Sequence, residues 1–181
     1  MNRQHEQHDL QAHIRSLHRF ATGLTGNPVD AEDLVQECLR RVLAHLKGNN
    51  SVTNLRAYLF RTLRNVHIDQ CRKVKTRGYE MNSDADVEFL SVPPSQEDRL
   101  RCMDISSALD SLPDSQREVI LLSCLEGMTY EDVAEVTGNP IGTVRSRLHR
   151  GRAALREMLD PARYDHEPVH GSNSVTMLRK A

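Results

Sequence analysis

Apolar residues recur at three- and four-residue steps along most of the chain, and clusters of Gly, Asn and Pro interrupt them. Leu10, Ile14, Leu17, Phe20, Ala21 and Leu24 mark one side of an amphipathic helix over residues 9 to 23. Gly26-Asn27-Pro28 breaks it. Asp30 is placed to cap a second helix, with Asp33 at the third helical position as a variant capping box. Its inward stripe is Leu34, Val35, Cys38, Leu39, Val42, Leu43 and Leu46, stopped by Gly48-Asn49-Asn50. A third helix starts near Asn54 and turns Leu55, Tyr58, Leu59, Leu63 and Val66 inward, with Cys71 a further candidate. No stretch alternates in a way that supports a strand of useful length. The pattern predicts an all-α fold.

From Gly78 to Ser95 the periodicity dissolves, acids lack basic neighbours, and Pro93-Pro94 stiffens the end, as in a linker. This divides the chain into a helical block over 1–77, a flexible acidic linker over 78–97 and a second helical block over 98–160. The second block opens with a helix through Leu100, Met103, Ala108 and Leu109. Pro113 suits the first turn of a helix from Asp114 to Glu126, ended by Gly127. Thr129 and Asp132 form a cap of the T-x-x-D kind for a short helix to Thr137. Gly138-Asn139-Pro140 then leads into a long helix that Pro161 stops. Short helix, glycine turn and second helix match the helix-turn-helix outline. Residues 161–181 have little to bury and read as a disordered tail.

Composition narrows the function. With 38% hydrophobic residues, 4% aromatics and no tryptophan among 181 residues, two small bundles are easier to fill than one large core. Met1 to His13 is too polar for a signal peptide, and no apolar run approaches the roughly 20 residues that span a bilayer. A cytoplasmic protein is expected. Cys38, Cys71, Cys102 and Cys124 form no C-x-x-C pair, and Cys38 and Cys124 fall among apolar residues of their helices, which suggests buried reduced thiols there. His5, His8, His13 and His18 lack carboxylates or cysteines at matching spacing, so no metal and no cofactor is expected. There is no phosphate-binding glycine loop, no H-E-x-x-H and no G-x-S-x-G, and an enzyme is not expected.

One segment stands against the net charge of −1: Gly142 to Arg152 holds four arginines and a histidine in eleven residues. On a wheel of about 100° per residue, Val144, Leu148, Gly151, Leu155 and Met158 fall on one stripe. Arg145, Ser146, His149, Arg150 and Arg156 fall on the opposite arc, with Arg147 and Arg152 flanking it. Glu157 is the only acid from Ile141 to Leu159, so this ridge is not an ordinary solvated face. The second helix of a helix-turn-helix lies in the major groove, where Arg grips guanine and Ser or His supplements it. Gly151, on the buried stripe, suits close approach of a neighbouring helix.

The segment LPDSQREVILLSCLEGMTYEDVAEVTGNPIGTVRSRLHRGRAAL resembles region 4, the promoter-binding C-terminal domain, of extracytoplasmic-function (ECF) RNA polymerase sigma factors. DAEDLVQECLRRVLAHL followed by LRAYLFRTLRNVHIDQCRK resembles region 2 of the same family. The two resemblances, in family order, cover about residues 9 to 160. They imply a sigma factor that joins core RNA polymerase and directs it to promoter DNA, under an anti-sigma factor. A monomer when free, without membrane insertion, is expected.

The resemblance maps the polymerase-docking surface onto Asp33, Gln36, Glu37 and Arg40. It assigns the −10 element to Asn65 and Asp69, with Arg61, Arg64, Arg72 and Lys73 on backbone phosphates. Tyr58 and Phe60 could stack on unpaired bases, though Tyr58 lies on the apolar stripe and suits the core. The −35 contacts fall on Arg145, Ser146, His149 and Arg150, with Thr143 and Arg147 on phosphates. Asp84, Asp86 and Glu88 of the linker are either nucleic-acid mimics in the polymerase or a solvated spacer. The alternative is a stand-alone helix-turn-helix regulator, which lacks support in any heptad seam or ligand-binding block. Non-specific binding scales with the phosphates neutralised, and here the arginines are confined to two ridges and balanced elsewhere. The isolated chain is therefore expected to bind promoter DNA weakly and to gain specificity with core polymerase. Tight, sequence-specific binding by the chain alone in a salt titration would contradict this.

Overall fold

The computed structural model of the protein describes residues 3–48, 52–77 and 96–159. The acidic linker residues Asp84, Asp86 and Glu88, and the tail, lie outside the described residues. Among the described residues the chain is helical, with no strand. None of these helices is long and apolar enough to cross a membrane.

The first block holds α1 (Arg3–Thr25), α2 (Pro28–Lys47) and α3 (Leu55–Arg77). The second helix starts earlier than Asp30. Asn27 is its cap, with Oδ1 accepting from the amides of Val29 at 2.8 Å and Asp30 at 3.4 Å. Pro28 follows at the first helical position, where its missing N–H costs nothing and its φ is preset. Asn54 likewise precedes α3 and accepts from the Ala57 amide at 3.0 Å.

α1 and α3 each pack on α2 and on each other. Leu17, Phe20, Leu34, Val35, Cys38, Val42, Leu59, Leu63 and Val66 are shut from solvent. Phe60 joins them, with its ring centroid 5.2 Å from that of Phe20, and is therefore unavailable for stacking on bases. Tyr58 packs at the margin of the core beside His45. Leu43, expected inside, is 40% exposed, because α2 turns that side away from both neighbours.

The second block holds α4 (Gln96–Asp110), α5 (Asp114–Ile120), α6 (Tyr130–Thr137) and α7 (Ile141–Leu159). Among the described side chains of α4, Ala108 is buried and Leu109 packs against the core, whereas Met103 is exposed. The helix expected to run unbroken from Asp114 to Glu126 instead changes pitch after Ile120, entering a π-helical turn over Leu121–Leu125. The Glu126 amide donates to the Leu121 carbonyl five residues back at 3.0 Å, the bond that defines such a turn. Gly127, at φ +63°, then reverses the chain.

The Thr129–Asp132 box is formed in both directions: Thr129 Oγ1 accepts from the Asp132 amide at 3.1 Å, and the Asp132 carboxylate accepts from the Thr129 amide at 3.4 Å. In α7, Val144, Leu148 and Gly151 are buried as the wheel requires. Met158, on the same stripe, emerges beside Leu159 at a shallow cleft lined by Asp104 and Ser107 of α4 and by Ser111 just beyond it.

The two blocks are not separate. Their apolar residues form one continuous cluster. At the seam Gly23 of α1 lies so close to Leu121 that a Cβ there would stand 2.7 Å from a leucine methyl. A Cβ on Gly151 would stand 2.6 Å from Ile120 Cδ1 and 3.3 Å from Gln116 Cβ, so α5 and α7 meet over a missing side chain. Gly151→Val is expected to destabilise the fold by about 1–3 kcal/mol through overpacking. Gly142→Ala, which meets nothing within 4 Å, is expected to raise stability by about 0.5–1 kcal/mol. Thermal melts of the two variants check the contrast.

Candidate nucleic-acid interface

The basic ridge of α7 is on the surface. Arg145, Ser146, His149 and Arg150 are exposed, while Thr143 and Arg147 are half-buried beside them. The helix begins after Pro140, whose carbonyl accepts from the amides of Thr143 and Val144. Ser146 donates to the Thr143 carbonyl at 3.0 Å, and Arg150 donates back to the Ser146 carbonyl at 3.3 Å and hydroxyl at 3.4 Å. These local bonds line Ser146 and Arg150 along one edge of the helix. All four expected base readers therefore share one outward face, mounted on a platform of α5 and α6.

The residues expected to meet the −10 element divide into two groups along α3. Asn65, Arg72 and Lys73 are exposed, and Asp69 is half-exposed. Arg41 of α2 lies 3.6 Å from the Asp69 carboxylate, which tempers the repulsion an acid would offer to phosphate. Arg61 and Arg64, nearer the start of the helix, reach the second block. Arg61 donates twice to the Glu135 carbonyl, at 3.1 and 2.7 Å, and lies 3.7 Å from its carboxylate. Arg64 donates to the Glu118 carboxylate. In this arrangement both arginines are occupied within the chain.

The seam holds further polar clasps that the sequence did not announce. Arg19 grips the Glu126 carboxylate through Nε at 3.2 Å and Nη2 at 3.1 Å, and Arg56 donates to the Glu126 carbonyl. Asn54 donates to Asp132 at 3.3 Å. Arg117 donates to the carbonyls of Asp110 at 3.0 Å and Leu24 at 3.5 Å, tying the end of α4 to the end of α1. The signal that could have found them is the pairing of basic positions along α1 and α3 with acids at 118, 126 and 135, which periodicity alone does not couple.

Glu118 is costly to bury. Desolvation raises its carboxyl above the usual range, and Arg64 only partly offsets that. A carboxyl whose folded value is raised works against the folded arrangement while ionised, and its burden falls as pH drops through the raised value.

On α2 the expected docking residues Asp33, Gln36 and Arg40 are exposed and Glu37 is half-buried, all on the side away from Leu34, Val35 and Cys38. Glu37 accepts from Arg40 at 2.7 and 2.8 Å and from Arg41 at 2.7 Å. Those hydrogen bonds hold its carboxyl down at about 2. The face therefore presents a mixture of charges in which Glu37 is paired with Arg40 and Arg41. The Cys38 thiol, beneath it, is pushed up to about 12 by burial, so it remains protonated.

A two-block helical protein with an exposed arginine ridge on the second helix of a helix-turn-helix is the build of a DNA-directed factor. Residues 10–77 match the Sigma-70 region 2 family model and residues 102–155 match that of Sigma-70 region 4. The ECF RNA polymerase sigma factor EcfG of Rhodopseudomonas palustris is 38% identical over 83% of this chain and 83% of its own. The sigma factor RpoE of Bartonella quintana, solved in complex with the anti-sigma factor NepR, is 34% identical with a TM-score of 0.73 over 87% of this chain and 98% of that one. CnrH, solved with the cytosolic domain of CnrY, is 25% identical with a TM-score of 0.65, covering 86% and 88%. The chain belongs to the ECF family of RNA polymerase sigma factors.

Removing Arg64 leaves Glu118 buried without its principal cation, so Arg64→Ala is expected to weaken the seam by about 1–3 kcal/mol. Glu118→Gln keeps an acceptor for Arg64 and removes the desolvated charge, and is expected to leave the packing intact. Small-angle scattering of both variants reads the outcome: expansion for the first and not for the second.

Proposed function

We propose that this chain binds core RNA polymerase through the outer face of α2 and directs it to promoters whose −35 element is read by α7. The observation that carries the reading is the outward ridge of Arg145, Ser146, His149 and Arg150, free of interleaved acids and held on a helix-turn-helix platform. Arg145 and Arg150 offer the planar fork that grips guanine, and Ser146 and His149 offer shorter-range contacts. Thr143 and Arg147 take flanking phosphates, near the positive end of the helix dipole for Thr143.

The −10 element falls to Asn65 and Asp69, whose polar groups can address the edge of an unpaired base. Arg72 and Lys73, one turn further along α3, take the backbone there. Arg61 and Arg64 join them only when the second block moves away, because the seam holds both arginines. The packed arrangement is then a resting form, and engagement with polymerase separates the blocks. Control by an anti-sigma factor fits this scheme: a partner that stabilises the packed form keeps Arg61 and Arg64 from DNA. The complex reported for the Bartonella relative supports that kind of partner.

Run-off transcription with purified core polymerase tests the proposal. Addition of the chain is expected to start transcripts from a defined subset of a promoter library, and failure to do so would reject it. Arg145→Ala is expected to cost about 1–3 kcal/mol of discrimination at one −35 base pair. Uniform loss across all sequences would instead make Arg145 a phosphate contact.

A further inference from the structure

Arg145 does not stand alone on the ridge. Its guanidinium carbon lies 5.8 Å from the ring centroid of Tyr130, the first residue of α6, within the range of a cation–π contact. Two turns further along α7, Arg152 donates to the Cys124 thiol of the π-helical turn at 3.3 Å. Burial works against the Arg152 guanidinium, but its neighbours Cys124 and Tyr130 outweigh it and raise its affinity for the proton. The ring of Tyr130 thus lies under Arg145, while Arg152 is held by the π-helical turn. Tyr130 is half-buried and packs against the core, and the Thr129–Asp132 box fixes the start of its helix. Its ring is thus a rigid support, whereas a long arginine on an exposed helix samples many rotamers and must surrender that freedom to reach a base.

We propose that Tyr130 is a positioning residue for promoter reading: its ring pre-orders the Arg145 side chain, and so sets how sharply α7 discriminates at one −35 base pair. The inference rests on the reading of Arg145 as a base contact. Tyr130 itself need not touch DNA. An aromatic face is what the role requires, so Phe can replace Tyr at this position and Leu cannot, although Leu keeps the apolar volume that packs against the core. Arg152, bonded to Cys124, anchors α7 to the π-helical turn rather than reading sequence.

The test uses the full chain with core RNA polymerase, in run-off transcription on templates carrying every base pair at each −35 position. Tyr130→Leu is expected to reduce discrimination about two- to five-fold at the position Arg145 reads and to leave the other −35 positions and the −10 element unaffected. Tyr130→Phe is expected to keep discrimination there within about twofold of the unaltered chain. In an Arg145→Ala background, Tyr130→Leu is expected to add nothing, since the side chain it supports is gone. Uniform loss at all positions, or equal loss from Phe and Leu, would make Tyr130 a structural residue and overturn the proposal. Improved discrimination with Leu would also overturn it, because the ring would then be holding Arg145 away from DNA. If Arg145→Ala itself lacks a position-specific effect, the base-contact reading fails and takes this proposal with it. If Arg145→Ala shows the effect and Tyr130→Leu does not, only the positioning role is lost.

Discussion

Two carboxylates buried in the second block, Glu118 and Glu126, have their principal side-chain cations, Arg64 and Arg19, in the first. Burying a charge is tolerable only when a partner with good geometry meets it. The packed form of the molecule thus depends on α1 and α3 presenting arginines at matching heights to α5 and the π-helical turn. Close packing of Gly23 on Leu121 brings the backbones near enough for those pairs to form. Neither element suffices by itself. The apolar contact is non-directional, and the ion pair at Glu118 does not recover its own desolvation cost.

That dependence shapes how positive charge is distributed. The arginines of α3 are divided between a group that locks the blocks together and a group that stays at the surface. On α7, Arg145 and Arg150 stay exposed and the packed form does not spend them, whereas Arg152 is held by Cys124. One part of the DNA-reading apparatus is consumed by folding and another is left displayed. A modest net charge of −1 is consistent with a protein whose cations have specific internal or external tasks instead of a general attraction to polyanions.

Much of this was readable from residue order. Val144, Leu148 and Gly151 announced their burial by their spacing, and the exposed ridge followed by subtraction. The Thr129–Asp132 cap was equally plain, because a capping box is a contact three residues long. Asn27 and Asp30 are both competent caps, and only the preset φ of Pro28 decides between them. Periodicity places Leu43 and Met158 inside because it presumes a covering neighbour for every apolar position on a stripe, whereas both stand at the surface. For Phe60 the sequence leaves core and base stacking open, and its contact with Phe20 resolves the choice.

The sequence by itself determined the helices, their breaks, the inward and outward faces, and the resemblance that names the family, because each of these rests on interactions spanning a few residues. Tertiary structure alone decided that the two apolar cores merge, that Arg61 and Arg64 turn inward while Asn65 does not, and that Tyr130 lies beneath Arg145. Those outcomes join residues far apart in the chain, Arg61 and Glu135 by 74 positions. No local periodicity encodes such partnerships, since a helix face specifies only which side is apolar or charged and not what it will meet.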